Sequence, residues 1–154
     1  MPLQSGIPAP DFELPDETGA LRRLSDFHGR PVVLYFYPKD DTPGCTTEAC
    51  AFRDDYSAYE QAGVVILGVS PDTVKAHARF KARYGLPFPL LADVEHTVCE
   101  QYQVWALKKF MGREYMGVLR TTFLVGADGQ IVRAFENVKP AGHSAEVLAA
   151  LGAA

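Results

Sequence analysis

The sequence predicts an α/β fold in which a mixed central sheet is flanked by helices on both faces. Three observations support this class. Short runs of β-branched and aromatic residues alternate with segments of helical periodicity, Gly or Pro follows several of these segments, and two late apolar runs bracket an Asp-Gly turn. Alternation of strand and helix is typical of a parallel-rich sheet, whereas the two late runs predict an antiparallel hairpin.

The first residues predict an extended lead-in and then a short hairpin or edge element. Residues 7–10, Ile-Pro-Ala-Pro, favour an extended chain because proline restricts its own backbone and that of the residue before it. Phe12 and Leu14 then alternate with polar residues, and residues 16–19, Asp-Glu-Thr-Gly, predict the turn.

The centre of the sheet is predicted from a continuous apolar run. Val32 to Tyr37 is aliphatic and aromatic throughout, which is typical of a strand buried on both faces. Apolar and small residues then recur at helical spacing from Thr46 to Gln61. The later elements are predicted as strand Val64–Val69, helix Thr73–Tyr84 ended by Gly85, strand Leu90–Ala92, helix His96–Tyr102, hairpin strands Thr121–Val125 and Ile131–Phe135, and helix Ser144–Leu151 with Ser144 as a candidate N-cap.

Length and composition predict one domain, residues 1–154, because a chain of 154 residues that is 47% hydrophobic can bury one core. The 15 basic and 19 acidic residues are interspersed, so we expect no binding of nucleic acid or of an anionic membrane. No apolar run approaches the roughly 20 residues that a membrane span needs, and the first residues lack a signal-peptide core. We therefore expect a soluble, cytoplasmic protein.

Metal and cofactor chemistry finds no support in the sequence. The three cysteines and four histidines show neither a secreted disulfide framework nor the paired spacing of a metal site. No Gly-rich phosphate loop follows a predicted strand. We expect no metal and no bound cofactor, and the odd number of cysteines makes redox chemistry the first question.

Cys45 stands where the predicted central strand ends and the next helix begins, which is where ligand sites of open α/β sheets lie. A helix N-terminus carries unpaired N–H groups and a partial positive charge, and both stabilise a thiolate relative to a thiol. Because the thiolate is the nucleophilic form, this position predicts a reactive cysteine. The alternative is a small buried core residue, which is the commonest fate of a free cysteine.

The neighbours of Cys45 favour the reactive alternative. Pro43 and Gly44 do not crowd the approach to the sulfur, and Gly44 permits a backbone bend that can aim an N–H group at a bound oxygen. Thr42 can offer a hydroxyl within the first turn, and Pro38 can shield the thiolate from bulk water.

The same residues carry a family resemblance. Pro38, Thr42 and Cys45 match the Pro-x-x-x-Thr-x-x-Cys signature of peroxiredoxins. Further segments resemble the bacterioferritin comigratory protein, or peroxiredoxin Q, branch of that family: residues 6–12, 44–50, 104–105, 108–112 and 120–124. The resemblance implies a thioredoxin-like fold with the peroxiredoxin N-terminal extension, a thiol-dependent peroxidase activity, a hydroperoxide substrate, a thioredoxin or similar dithiol reductant, and a monomer.

The resemblance also implies roles for individual residues. Cys45 is the peroxidatic cysteine that attacks the peroxide, Thr42 hydrogen-bonds thiolate and peroxide, and Pro38 shields the pocket. Arg120 is the active-site arginine, and its permanent charge and several donors suit a thiolate and a breaking O–O bond. Leu119 replaces a histidine that the family often carries just before this arginine, so a polar group is missing there.

A sulfenic acid at Cys45 needs a second thiol. The resemblance assigns this resolving role to Cys50, while Cys99 is the competing resolver and the better candidate for a buried structural thiol. In an intact helix, Cα atoms five residues apart are about 8.6 Å from each other, whereas a disulfide needs less than about 7 Å. We therefore expect the first turns of the Cys45–Gln61 helix to unwind on oxidation.

Three more residues have open interpretations. Glu48 is expected either to orient Arg120 or to stabilise the first helical turn through the helix dipole. For Trp105 and Phe110 there are three alternatives: an apolar wall of the pocket, a contact with the reductant, or the core. The core is the commonest place for such aromatic residues.

Three rival functions remain at this point. Cys45 and Cys50 could form a metal-binding or redox-sensing dithiol module. A dithiol oxidoreductase would normally present Cys-x-x-Cys, whereas four residues separate these two cysteines. A holdase chaperone is the weakest rival, because the sequence gives no sign of an exposed apolar segment.

Overall fold

The structure, a computed structural model, describes residues 2–152. No helix among them is long and apolar enough to cross a membrane. In chain order the elements are β1 (Glu13–Pro15), β2 (Leu21–Arg23), a 3₁₀ turn (Leu24–Phe27), β3 (Val32–Phe36), α1 (Pro43–Asp54), α2 (Tyr56–Gln61), β4 (Val65–Ser70), α3 (Val74–Tyr84), β5 (Leu90–Ala92), α4 (Thr97–Gln101), β6 (Trp105–Phe110), β7 (Arg113–Val118), β8 (Thr121–Val125), β9 (Ile131–Phe135) and α5 (His143–Gly152).

The central sheet has five strands in the order β5-β4-β3-β8-β9. β3 lies in the middle, parallel to β4 and antiparallel to β8, so the sheet is mixed as predicted. β8 and β9 form the predicted antiparallel hairpin, and β1 and β2 form the predicted N-terminal one. Every residue of β3 is buried, because both faces of the sheet are covered.

The sheet separates the core into two clusters. Alternate residues of a strand point to opposite faces, and in β3 Leu34 belongs to one cluster and Val33 to the other. Cys99 of α4 packs in the cluster of Leu34, which we call the α4 face. Cys45 of α1 packs in the cluster of Val33, which we call the α1 face. The two buried cysteines therefore lie on opposite sides of the sheet.

The helix predicted from Thr46 to Gln61 is in fact two helices. α1 ends at Asp54 and α2 begins at Tyr56, with Asp55 between them at φ −94° and ψ 4°. The carboxylate of Asp55 accepts a hydrogen bond of 2.7 Å from the hydroxyl of Ser144 in α5. This contact between distant parts of the chain holds Asp55 at the break, and no local spacing could have shown it.

Ser144 is not the N-cap of the last helix, and that prediction was wrong. α5 begins at His143, so Ser144 lies inside its first turn and is buried. The end signals of α3 were right, since the hydroxyl of Thr73 accepts a hydrogen bond from the Ala76 N–H and Gly85 takes the left-handed conformation at φ 61°.

β6 and β7 form a two-stranded hairpin that the sequence did not predict. Met111 and Gly112 make its turn with φ of 52° and 78°. Several apolar side chains of this hairpin are exposed, and we call it the apolar hairpin: Leu107, Phe110, Met111, Tyr115 and Met116. The expectation that the chain has no exposed apolar segment was therefore wrong. Phe110 is 65% exposed and is no core residue.

Candidate active site

Cys45 is the third residue of α1 and follows the carboxyl end of β3, as predicted. Thr42 is the extended residue before the helix, and Pro43 occupies the first helical position, where its missing N–H costs no hydrogen bond. The Cys45 side chain is only 1% exposed. The sulfur therefore lies at the positive end of a helix, in a place with little competing water.

Arg120 brings a second positive charge to the sulfur. It lies between β7 and β8, and its Nη2 donates to Cys45 Sγ over 3.2 Å while its Nη1 donates to Glu48 Oε1 over 2.7 Å. Burial favours the neutral guanidinium, but the charges of Glu48 and Cys45 outweigh burial and hold the pKa of Arg120 above its usual range. Arg120 therefore carries a permanent charge in contact with the sulfur.

Glu48 is the second partner of that arginine. It stands one turn after Cys45 on the same side of α1, is almost completely buried, and accepts the Arg120 hydrogen bond with Oε1. Its Oε2 is buried with no hydrogen-bond partner among the described residues. Burial raises the pKa of Glu48 to about 7, and the nearby Arg120 charge only partly opposes this. Of the two roles open from sequence, the geometry supports orientation of Arg120.

Gly44 makes room for the guanidinium. A Cβ atom at this position would lie 3.3 Å from Arg120 Nη2 and 3.4 Å from Pro140 Cγ. Gly44 sits inside α1 and has no positive φ, so the expectation of a special backbone bend at this residue was wrong. A side chain at this position would instead push the guanidinium aside by a few tenths of an ångström, because the arginine approaches the helix closely there.

Thr42 and Pro38 lie where the motif puts them, in the loop between β3 and α1. The hydroxyl of Thr42 donates to the Lys39 carbonyl over 2.9 Å, so in this structure it fixes the loop. Pro38 is half-buried directly after the strand. Both therefore shape the segment that leads into Cys45.

The other two cysteines have different surroundings. Cys50 is half-buried within α1, five residues after Cys45, and both are free thiols. Cys99 is fully buried on the α4 face, and its backbone N–H donates to Asp93 over 2.8 Å. Burial, and then the Asp93 carboxylate, raise the pKa of the Cys99 thiol well above its usual range. Only Cys50 shares a helix with Cys45.

The apolar hairpin reaches the site through Lys108. Its Nζ donates to the Val118 carbonyl over 3.0 Å, and burial followed by the Arg120 charge lower the pKa of Lys108. Trp105 is half-buried and stacks on His96 at 4.0 Å between ring centroids. Trp105 is therefore held against His96, the residue directly before α4.

Leu119 packs on the α4 face of the sheet. Its neighbour Arg120 turns toward Cys45 on the α1 face. In this structure an apolar side chain at position 119 therefore completes the core.

Three residues near the site were missed by sequence reasoning: Asp40, Asp72 and His77. A nitrogen or carboxylate oxygen from each lies within 4.8 Å of the others, so the group could surround a metal ion. His77 Nδ1 and Asp40 Oδ2 are, however, already joined at 2.6 Å, which occupies the atoms that would bind metal. The adjacent Asp40-Asp41 pair in the loop was the only signal, and it gave no hint of a partner in α3.

Comparison with known proteins identifies the family. Residues 5–134 match the profile of the AhpC/TSA family. Peroxiredoxin Bcp of Bacillus subtilis is 48% identical over 98% of this chain and 96% of its own length, and peroxiredoxin Bcp of Escherichia coli is 46% identical over 96% and 94%.

Solved structures agree with the sequences. The bacterioferritin comigratory protein of Xanthomonas campestris is 40% identical and superposes with a TM-score of 0.90, covering 97% of this chain and 98% of that one. The BcpB protein of Mycobacterium tuberculosis gives a TM-score of 0.87 at 38% identity, covering 98% and 97%. These likenesses confirm the thioredoxin-like α/β fold.

Cys45 thus occupies the position of a peroxidatic cysteine, at a helix start, beside a half-buried arginine, within a chain that matches peroxiredoxins over nearly its whole length. Such enzymes need a peroxide substrate and a thiol reductant. The chain belongs to the AhpC/TSA family, in its Bcp or peroxiredoxin Q branch, and is a thiol-dependent peroxidase.

Proposed function

We propose that this single-domain protein reduces hydrogen peroxide and organic hydroperoxides with Cys45, that Cys50 resolves the product as an intramolecular disulfide, and that a thioredoxin-type dithiol protein recycles the enzyme. The observation that carries the proposal is the Arg120 guanidinium, which contacts Cys45 Sγ and Glu48 at once. We further propose a cytoplasmic monomer that needs no cofactor. The X. campestris relative is described for alkyl peroxide reduction, which supports organic substrates.

In the first step the Cys45 thiolate attacks one peroxide oxygen. An S–O bond forms as the O–O bond breaks, so the sulfur is oxidised by two electrons to sulfenic acid and the peroxide is reduced. The departing oxygen leaves as hydroxide or alkoxide and takes up a proton to give water or alcohol. Arg120 stabilises both the attacking thiolate and the charge that develops on the oxygens. Thr42 and Pro38 complete the pocket in this proposal.

In the second step the Cys50 sulfur attacks the sulfenic sulfur of Cys45. The S–S bond forms, the S–O bond breaks, and the hydroxyl leaves as water with a proton. Cys99 is a poor alternative resolver because it is buried on the opposite face of the sheet. Thiolate is the attacking form, and both burial and Asp93 disfavour it at Cys99.

Disulfide formation requires α1 to open. Cys45 and Cys50 both lie within the regular part of α1, where Cα atoms five residues apart are about 8.6 Å from each other. A disulfide needs them within about 7 Å. The helix must therefore unwind around these residues, which breaks the contact of Arg120 with Glu48 or with the sulfur.

A protein reductant needs a surface to bind next to this disulfide. The apolar hairpin is a candidate, because its exposed side chains stand beside Lys108, which itself lies near Arg120. Exposed apolar patches rimmed by polar residues are typical of protein interaction sites. Phe110 and Met111 at its turn are the most exposed of these side chains.

The test is to treat reduced wild type and each single Cys→Ser variant with one equivalent of hydroperoxide and to map the disulfide by peptide mass. We expect a Cys45–Cys50 bond in wild type and in Cys99→Ser, and a trapped sulfenic acid at Cys45 in Cys50→Ser. A Cys45–Cys99 bond would refute the assignment of the resolving cysteine. Anaerobic titration with zinc distinguishes the rival metal-binding module, which would bind the ion and show no peroxide turnover.

A further inference from the structure

The loop that leads into the active-site helix is held by α3. Six residues, 37–42, lie between β3 and α1, and two aspartates among them make the contacts with α3. Asp41, at φ 60°, accepts hydrogen bonds of 2.8 Å from both Arg83 and Tyr84, and these contacts are exposed. Asp40 makes the buried contacts, with a side chain that is only 6% exposed.

Asp40 is fixed at three points. Its Oδ1 accepts the hydroxyl of Tyr37 at 2.6 Å and its Oδ2 meets His77 Nδ1 at 2.6 Å. Its backbone N–H donates to Asp72 Oδ2 at 2.9 Å, and that oxygen is itself held by the Ser70 hydroxyl at 2.5 Å. Main chain and side chain of one loop residue are therefore bound to the ends of β3 and β4 and to α3.

His77 is the buried end of this arrangement. Its side chain is fully buried, with Nδ1 against the Asp40 carboxylate and Nε2 at 3.0 Å from the Leu91 carbonyl oxygen. A carbonyl oxygen cannot donate, so Nε2 must carry a proton. A second proton must lie between Nδ1 and Asp40, because two bare acceptors would repel each other at 2.6 Å. A short hydrogen bond between two buried side chains therefore ties the loop to α3.

We propose that His77 is a positioning residue for the peroxidase reaction: through Asp40 it fixes the loop at residues 38–42 and thereby sets the position of Thr42 and Cys45. His77 is outside the motif, lies on another helix, and touches no reacting group. It acts because Asp40 is only five residues before Cys45 and because α1 begins three residues after Asp40. A small displacement of a reacting group can cost a large factor in rate, so a fixed loop matters for Cys45.

The second part of this inference rests on the proposed function. If α1 unwinds to form the Cys45–Cys50 disulfide, the Asp40 contacts mark the upstream end of the segment that moves. Loosening them should slow attack on peroxide, which needs the ordered helix start. It should not slow disulfide formation, which needs that start to open.

The experiment uses two substitutions at the same buried site. An asparagine side chain can put an N–H group near the place of His77 Nδ1, whereas a glutamine side chain reaches the place of Nε2. His77→Asn therefore keeps the bond to Asp40 and loses the one to Leu91, and His77→Gln does the reverse. Both are made in the Cys50→Ser background, and the rate of sulfenic acid formation at Cys45 is followed by a sulfenic-acid trap in the first turnover.

We expect His77→Asn to react within about threefold of its parent and His77→Gln to react at least about tenfold more slowly, because only glutamine gives up the bond to Asp40 and leaves that buried carboxyl without this partner. Asp40→Ala should match His77→Gln, and the double variant should be no slower than either single one. Tyr84→Phe, which removes an exposed bond to Asp41 in the same loop, is the control and should react within twofold of its parent. In the background that retains Cys50, the disulfide-forming step of His77→Gln should be at least as fast as in wild type.

The proposal is overturned if His77→Asn and His77→Gln lose the same factor in the rate of sulfenic acid formation and if these losses parallel their losses of unfolding free energy in urea. His77 would then be a structural residue. Additive losses in the double variant would overturn the proposal as well. If His77→Gln does not fold, the rates of sulfenic acid formation in Asp40→Ala and Tyr84→Phe are compared instead, and equal rates in these two variants would overturn the proposal. If the Cys50→Ser parent forms sulfenic acid at Cys45 but His77→Asn and His77→Gln react at the same rate, only this inference is refuted. If the parent forms no sulfenic acid at Cys45, the proposed function is refuted too.

Discussion

Cys45 and Cys99 occupy the same place in two different helices. Each is the third residue of its helix, α1 or α4, and each side chain is at most 1% exposed. By the argument from the helix dipole alone, both sulfurs should be activated to a similar degree. The structure shows that they are not equivalent.

The two helices differ in the charged group that lies beside their first N–H groups. In α4 the N–H groups of Val98 and Cys99 donate to the two carboxylate oxygens of Asp93, so a negative charge lies beside that sulfur. In α1 Thr42 supplies no such bond, and the group beside the sulfur is the Arg120 guanidinium. A helix N-terminus thus favours a nearby anion. At α1 the Arg120 cation favours the sulfur of Cys45 as that anion, whereas at α4 the carboxylate of Asp93 already fills this role.

The strongest test of this comparison exchanges each sulfur for oxygen. Cys45→Ser should lower the peroxide reduction rate roughly a thousandfold or more, because the nucleophile is lost. Cys99→Ser should retain activity within about twofold while losing about 1–3 kcal/mol of unfolding free energy, since a hydroxyl is buried there. A competition assay and urea unfolding measure the two quantities. A folded Cys99→Ser protein without activity would mean that the two sites are not distinct.

The next test removes the cation. Arg120→Met should slow sulfenic acid formation by roughly a hundredfold to a thousandfold, the usual effect of losing one donor to developing charge. Arg120→Lys should recover only part of this, because a single ammonium cannot bond Cys45 and Glu48 with the same planar geometry. Arg30→Met, at an exposed arginine, is the matched control and should leave the rate unchanged. A rate in Arg120→Met equal to this control would leave the helix dipole as the only activating feature.

A smaller effect concerns Glu48 and pH. Its folded-state pKa of about 7 lies above the ordinary value of 4.5, so the folded protein binds this proton more tightly than the unfolded chain does. The stabilisation is complete below about pH 4.5 and is lost as the pH rises through 7. Glu48→Gln cannot ionise, so relative to this variant the wild type should lose about 3 kcal/mol between pH 4 and 8. Urea unfolding at several pH values tests this, and a constant difference would mean that Arg120 fully compensates the buried carboxylate.

The smallest expected effect is steric. Gly44→Ala would put a methyl group 3.3 Å from Arg120 Nη2, so the guanidinium must shift away from the sulfur. We expect sulfenic acid formation to slow roughly threefold to tenfold without loss of stability, since alanine favours a helix. Gly152→Ala, where nothing lies within 4 Å, is the control. An unchanged rate in Gly44→Ala would show that the arginine tolerates displacement.

Sequence reasoning succeeded where local patterns carry the signal. β3 is a continuous apolar run and Cys45 lies in a dense motif, so both could be located without a structure. β6 and β7 were missed because much of the hairpin is exposed, so its strands lack the apolar alternation of a half-buried sheet, and the turn at Met111 lacks the usual asparagine or aspartate. The break at Asp55 and the pairing of Asp40 with His77 depend on residues far apart in the chain, which spacing does not encode.

The break at Asp55 makes α1 a separate helix of 12 residues. Helices of about that length are marginal on their own, so α1 depends on its packing and gains little from α2. α2 has its own attachment, since the Tyr59 hydroxyl donates to the Ser144 carbonyl over 2.8 Å. Native-state hydrogen exchange should therefore find α1 opening as a unit of lower local stability than α2 or the sheet. If α1 opens to form the proposed Cys45–Cys50 disulfide, such containment keeps the apolar strands of the sheet covered, and covered strands do not pair with those of other chains.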